Sequence, residues 1–129
     1  MTQQANGRFD IETKPEASFG DGINRLSVAK TFHGDLDGSS IGEMLAVRTR
    51  APGSAGYVLM EQVTGKLQGR TGSFVLQHHG IMDRSRPHLT VTVVPDSGTG
   101  ELAGIVGQMS IDAAADHGYV FDYSLPEAS

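Results

Sequence analysis

The sequence predicts an all-β fold: a single domain of 129 residues built as an eight-stranded closed antiparallel barrel. Three observations lead there. The dominant hydrophobic period is two rather than 3.6. The runs that carry it are short, fairly even in spacing and separated by clusters of Gly, Pro, Asp and Ser, the pattern of a sandwich or barrel. Glycine supplies 17 residues and also interrupts the runs, at Gly42, Gly72, Gly104 and Gly107, as strands that coil into a barrel require. An eight-stranded barrel has an interior just wide enough for side chains or one small ligand.

The first run, Gly7 to Thr13, alternates strictly, with Phe9 and Ile11 on one face and charges on the other. Lys14 to Gly22 reads as a loop rich in Pro, Gly and acids. The second run spans Ile23 to His33. Gly34 to Gly38 is a turn, because Asp and Gly tolerate left-handed conformations. The third run, Ser40 to Arg50, carries Ile41, Leu45 and Val47 on one parity and Met44 and Ala46 on the other. Ala51 to Ser54 breaks it. The fourth run, Gly56 to Thr64, and the fifth, Leu67 to His79, meet at Gly65-Lys66, read as a two-residue hairpin turn with Gly at the first central position. Gly80 to Pro87 is a loop. The sixth run, His88 to Val94, is rich in strand-favouring Thr and Val. Pro95 to Gly100 is a turn, the seventh run is Glu101 to Ile111, and the eighth is Tyr119 to Leu125. Only Asp112 to Asp116 is helix-friendly, and it is too short to stand as a helix. Residues 1–6 and 126–129 are read as flexible tails.

Composition narrows the function classes. The net charge is −5, with 10 basic and 15 acidic residues, and the basic residues are scattered. A nucleic-acid binder shows a basic face instead, so neither nucleic acid nor membrane is an expected partner. There is no cysteine, hence no disulfide framework, which suits a cytoplasmic location. The polar start, Met1 to Asn6, lacks the basic flank and apolar run of a signal peptide. No apolar stretch approaches the roughly 18 residues of a transmembrane helix.

The central hairpin carries the site. With Gly65 and Lys66 at the turn, Glu61 faces Arg70, Leu59 faces Gly72 and Tyr57 faces Phe74. One face then holds Tyr57, Leu59, Glu61, Val63, Arg70, Gly72, Phe74, Leu76 and His78. A mostly apolar wall with a few convergent polar groups is the usual lining of a small-molecule site. Arg70 would hold Glu61 ionised and oriented, and Gly72 would leave a gap for a ligand. The competing reading is a solvated cross-strand ion pair worth ~0–1 kcal/mol. Parity leaves open which face is interior. Tyr119, Phe121 and Tyr123 form an aromatic stripe on the eighth run, a core or ligand wall.

Other motifs are weak. Two metal ligands on one strand should lie two residues apart to share a face. His78 and His79 fail that spacing, and no third ligand accompanies His88, so no metal site or cofactor is expected. There is no G-x-S-x-G elbow. Ser97 to Gly100 resembles a phosphate cradle only loosely, without the Lys-Ser/Thr pair and the helix that should follow.

Taken together, Gly56–Glu61, Gly69–His78, Val93–Gly104 and His117–Tyr123 resemble an uncharacterised bacterial domain-of-unknown-function family with an allene-oxide-cyclase-like, calycin-like β-barrel. The resemblance runs from about Gly7 to Leu125. The wider barrel group, with allene oxide cyclase and the dirigent proteins, implies a cofactor-free cavity that holds a reactive apolar substrate, and a tendency to form dimers or trimers. The cyclase motif does not match residue by residue, so no catalytic residue is carried over. The expectation is a small-molecule-binding barrel, leaning to a cofactor-free isomerase, cyclase or lyase. Glu61, His78 and Tyr57 are its candidate catalytic residues. Leu59, Arg70, Phe74, Leu76, Tyr119, Phe121 and Tyr123 are its ligand wall. The alternative is a non-catalytic carrier or sensor.

Overall fold

The computed structural model describes residues 2–20, 22–112 and 116–126. Eight antiparallel strands close into one barrel in sequence order, β1 pairing with β8. The strands are β1 (Gln3–Phe19), β2 (Ile23–Gly34), β3 (Leu36–Arg48), β4 (Ala55–Leu67), β5 (Arg70–Asp83), β6 (Arg86–Val93), β7 (Val106–Asp112) and β8 (Gly118–Ser124), with a 3₁₀ turn at Gly100–Leu102 before β7.

Several strands run past their expected ends. Residues 3–6 lie in β1, where Gln3 pairs with Tyr123 and Asn6 with Val120. The expected loop after Thr13 is also strand. β1 continues through Pro15, and the register shifts between Pro15 and Ala17. Such a bulge is one of the few positions in a sheet where a residue without an N–H fits. Of the expected C-terminal tail, residues 127–129 lie outside the described residues, as do 113–115 of the helix-friendly stretch.

The central hairpin corrects the sequence reading. Its turn is Gln68-Gly69, not Gly65-Lys66, because Leu67 pairs with Arg70. Both turn residues have positive φ, 46° at Gln68 and 90° at Gly69, as a type I′ turn requires. A non-glycine residue there is unfavourable, but the longer ladder buries Leu67 completely, in register with Leu36 of β3. The new register keeps every residue on its expected face and changes every partner. Glu61 now faces Leu76, Leu59 faces His78, and Tyr57 faces Gly80. Arg70 is exposed beside the turn and does not meet Glu61. The face bearing Leu59, Glu61, Val63, Phe74, Leu76 and His78 is interior. In β3 the interior parity is that of Met44 and Ala46, while Ile41 points outward and is 71% exposed.

The two ends of the barrel differ. At the β4–β5 turn end, Leu102 and Ile105, both fully buried, plug the interior above Phe74, Phe121 and Tyr123. Residues expected to begin the seventh strand form this plug instead. β6 stops at Val93, and residues 94–101 take over the edge of β5. The Thr99 N–H donates to the Ser73 carbonyl (2.8 Å), and the Val75 N–H donates to Ser97 Oγ (3.0 Å). The Thr71 N–H donates to Glu101 Oε1 (3.0 Å). The Ser97–Gly100 segment is thus committed to capping a strand edge. A Cβ at Gly72 would sit 2.1 Å from the Thr99 carbonyl oxygen and 3.2 Å from Leu102. The gap foreseen at Gly72 is therefore filled by the plug.

At the opposite end the wall is incomplete. β7 and β8 have only seven residues each. β8 covers β1 only from Gln3 to Arg8, and β6 meets β7 only at Thr92 and Gln108. Between the distal halves of β1 and β6 the barrel opens.

Candidate functional site

A cavity of about 540 Å³ lies at this open end, lined by side chains from seven strands and the β7–β8 loop. Its apolar lining includes Phe9, Ile11, Met44, Leu59, Met82, Leu89 and Ile111; its polar lining includes Lys30, Tyr57, His78, Asp112 and His117. The volume falls within the ~300–1,000 Å³ usual for small-molecule sites. A larger concavity, about 730 Å³, is an open groove on the outer face of β1–β5. Glu61 is among the residues that line it, together with Val28 and Gly42.

Alternation builds the floor of the cavity. Val28, Lys30 and Phe32 share the inner face of β2, Ser40 that of β3, Glu61 that of β4 and His78 that of β5. Glu61 is 1% exposed and receives three donors. Lys30 Nζ lies 3.0 Å from Oε1, His78 Nε2 lies 2.5 Å from the same oxygen, and Ser40 Oγ lies 2.6 Å from Oε2. Lys30 Nζ also sits 4.5 Å from the Phe9 ring centroid, so an aromatic face meets part of the ammonium. Among the described residues no buried side-chain nitrogen or oxygen lacks a partner.

This arrangement sets the protonation of the centre. Burial by itself would raise the Glu61 pKa. The His78 hydrogen bond, the Lys30 charge and the Ser40 hydroxyl together outweigh it and hold the carboxyl at about 2. An ionised carboxylate only accepts hydrogen bonds, so His78 Nε2 carries the proton. A ring that carries its only proton on Nε2 offers Nδ1 as an acceptor. Fixing a ring tautomer through a carboxylate partner is how other proteins orient a working histidine. Burial, with the Glu61 charge second, pushes the Tyr57 hydroxyl up, so it stays a donor. Tyr57 has room because it lies over a glycine: a Cβ at Gly80 would fall 2.2 Å from the Tyr57 ring.

The expected site residues therefore divide. Tyr57, Leu59 and His78 line the cavity, with Glu61 directly behind. Arg70 is exposed at the far end. Phe74, Leu76, Tyr119, Phe121 and Tyr123 fill the packed core instead of the cavity. Phe121 stacks between Phe74 and Tyr123, with centroids 5.6 and 5.2 Å away. The Tyr119 hydroxyl accepts from the Leu36 N–H (3.0 Å) and donates to the His33 carbonyl (3.1 Å). Sequence reasoning missed Lys30 and Ser40. The readable signal was a lysine on the apolar parity of β2, between Val28 and Phe32. A charge there is rare unless it is paired.

Among curated proteins none matches the sequence. A crystal structure of a protein with unknown function from the DUF3224 family of Shewanella oneidensis MR-1 is 44% identical, covering 99% of this chain and 100% of that one, with a TM-score of 0.94. The family model described as "Protein of unknown function (DUF3224)" matches residues 5–123. The chain, a closed eight-stranded β-barrel with a charged cluster beneath its open end, belongs to the DUF3224 family.

Proposed function

We propose that the barrel takes one small, largely apolar molecule into the cavity at its open end and acts on it as a cofactor-free isomerase or cyclase. One observation carries this reading: the buried carboxylate of Glu61 bonds His78 Nε2 (2.5 Å), and the same imidazole lines an apolar hollow. A proton-transfer group in a water-poor pocket is the minimum equipment for moving a hydrogen on a bound substrate. On this reading Glu61 orients, His78 accepts and returns the proton, and Tyr57 and Lys30 donate hydrogen bonds. A carboxyl held near pH 2 is too weak a base at neutral pH to do the abstraction itself.

The carrier reading has its own support. Lys30, Ser40 and His78 saturate Glu61 without any ligand, and a carrier needs only the apolar walls. Both readings require the cavity to bind. The neutral fluorophore N-phenyl-1-naphthylamine is expected to bind the wild type at one saturable site. Leu89 lies at the rim and is 40% exposed, so Leu89→Trp is expected to weaken that binding at least tenfold and leave the melting temperature within a few degrees. A wild type that does not bind the fluorophore, or a tryptophan variant that binds it equally well, would remove the cavity from both readings.

A further inference from the structure

We propose that the ligand is an enolisable carbonyl compound, whose oxygen takes a hydrogen bond from Lys30 and whose α-carbon hydrogen meets His78 Nδ1. This inference rests on the reading of the cavity as a binding site and names what it takes.

The charge pattern argues for it. Lys30 and Glu61 form a buried ion pair 3.0 Å apart, with side chains 3% and 0% exposed. The ammonium is already balanced, so a ligand carboxylate would put a second, uncompensated anion beside Glu61 in a site of low dielectric. A neutral carbonyl asks only for a hydrogen bond. Lys30 has one to give: it contacts Glu61 and the face of Phe9, and a primary ammonium has three donors.

The spacing also fits. Lys30 Nζ and His78 Nε2 bond the same oxygen of Glu61, at 3.0 and 2.5 Å. The two side chains are therefore held as neighbours through Glu61, and both line the cavity. A carbonyl oxygen and its α-hydrogen are separated by two carbons, the carbonyl carbon and the α-carbon, so one small group can engage both.

The step balances without a co-reactant. The α-C–H bond breaks, its proton goes to His78 Nδ1, and its electron pair moves into the carbonyl to form an enolate. Before the step the cluster holds Lys⁺, Glu⁻ and a neutral ring. After it, the enolate lies against Lys30 and the imidazolium against Glu61, so each new charge has an opposite partner already in position. Return of the proton to the same carbon regenerates the ketone. Return to a conjugated γ-carbon shifts a double bond, which is an isomerisation.

The test uses 4-phenylcyclohexanone in D₂O, with ¹H NMR following loss of the α-proton signal and saturation-transfer NMR following binding. The wild type is expected to bind the ketone and to speed exchange at least a hundredfold over buffer. N-phenyl-1-naphthylamine should suppress this exchange competitively, which ties it to the cavity without any variant. His78→Ala and Lys30→Met are each expected to lose at least tenfold of the exchange rate. Phenylcyclohexane, which lacks the carbonyl, should bind but report no chemistry. Binding of the ketone with exchange at the buffer rate would overturn the carbonyl inference and leave the cavity reading standing. So would binding of the fluorophore without binding of the ketone. Exchange that survives in folded His78→Ala, or that the fluorophore fails to suppress, would overturn the assignment of His78. Failure of the fluorophore to bind would overturn the cavity reading itself.

Discussion

Glu61→Ala is expected to destabilise the fold by about 3–5 kcal/mol, the usual cost of removing one partner from a buried ion pair. The loss is large because one carboxylate satisfies three groups. Without it, Lys30 is left buried without its counter-ion, at 3% side-chain exposure, and Ser40 and His78 lose their acceptor. The double variant Lys30→Met with Glu61→Leu should recover most of the loss, since an apolar pair of similar volume leaves no orphaned charge. The same group makes stability pH-dependent. Its folded pKa of about 2 lies below the ordinary glutamate value of 4.5, so the ionised form favours the folded state. That contribution is full above the unfolded value and fades as pH falls from 4.5 towards 2. At 1.36 kcal/mol per pKa unit the span is about 3 kcal/mol. Urea unfolding from pH 7 to pH 2.5 should show this acid-side loss in the wild type and a shallower one in Glu61→Gln. Equal acid slopes would mean that Glu61 is not the group responsible.

Phe121→Ala is expected to cost about 3–5 kcal/mol, the range for truncating a buried aromatic in a core that cannot collapse. Phe121 is fully buried and stacked on both sides by Phe74 and Tyr123. It belongs to the plugged half of the barrel, not to the cavity. The folded fraction of this variant should therefore bind N-phenyl-1-naphthylamine with wild-type affinity. Thermal unfolding and fluorescence titration check the two halves of this expectation. A weakened affinity with little loss of stability would make Phe121 part of the binding wall, as the aromatic stripe alone suggested.

Periodicity made the barrel legible because alternation with period two survives any error in strand ends. The same property explains what was and was not readable in the site. Moving the β4–β5 turn from residues 65–66 to 68–69 kept Tyr57, Leu59, Glu61 and His78 on one face, so their grouping held. It changed every cross-strand partner, so Arg70 was wrongly set beside Glu61. Gly65 looked like turn glycine, while the true turn uses Gln68 in a left-handed conformation that sequence disfavours. The real partners of Glu61 come from β2, β3 and β5. Contacts to β2 and β3 depend on barrel closure, which no single hairpin reveals. The division into a plugged half and an open half was also hidden. It follows from residues 94–105 folding back over β5, where alternation alone suggested the start of another strand.

The most direct measurement is a long-range ¹H–¹⁵N correlation spectrum of the histidine rings at pH 8, with and without 4-phenylcyclohexanone, His78 being assigned through His78→Ala or its conservative counterpart His78→Gln. The account predicts a His78 ring protonated on Nε2, with an unprotonated Nδ1 whose signal moves when the ketone is added. A ring carrying its proton on Nδ1, or an Nδ1 signal indifferent to saturating ketone, would contradict it.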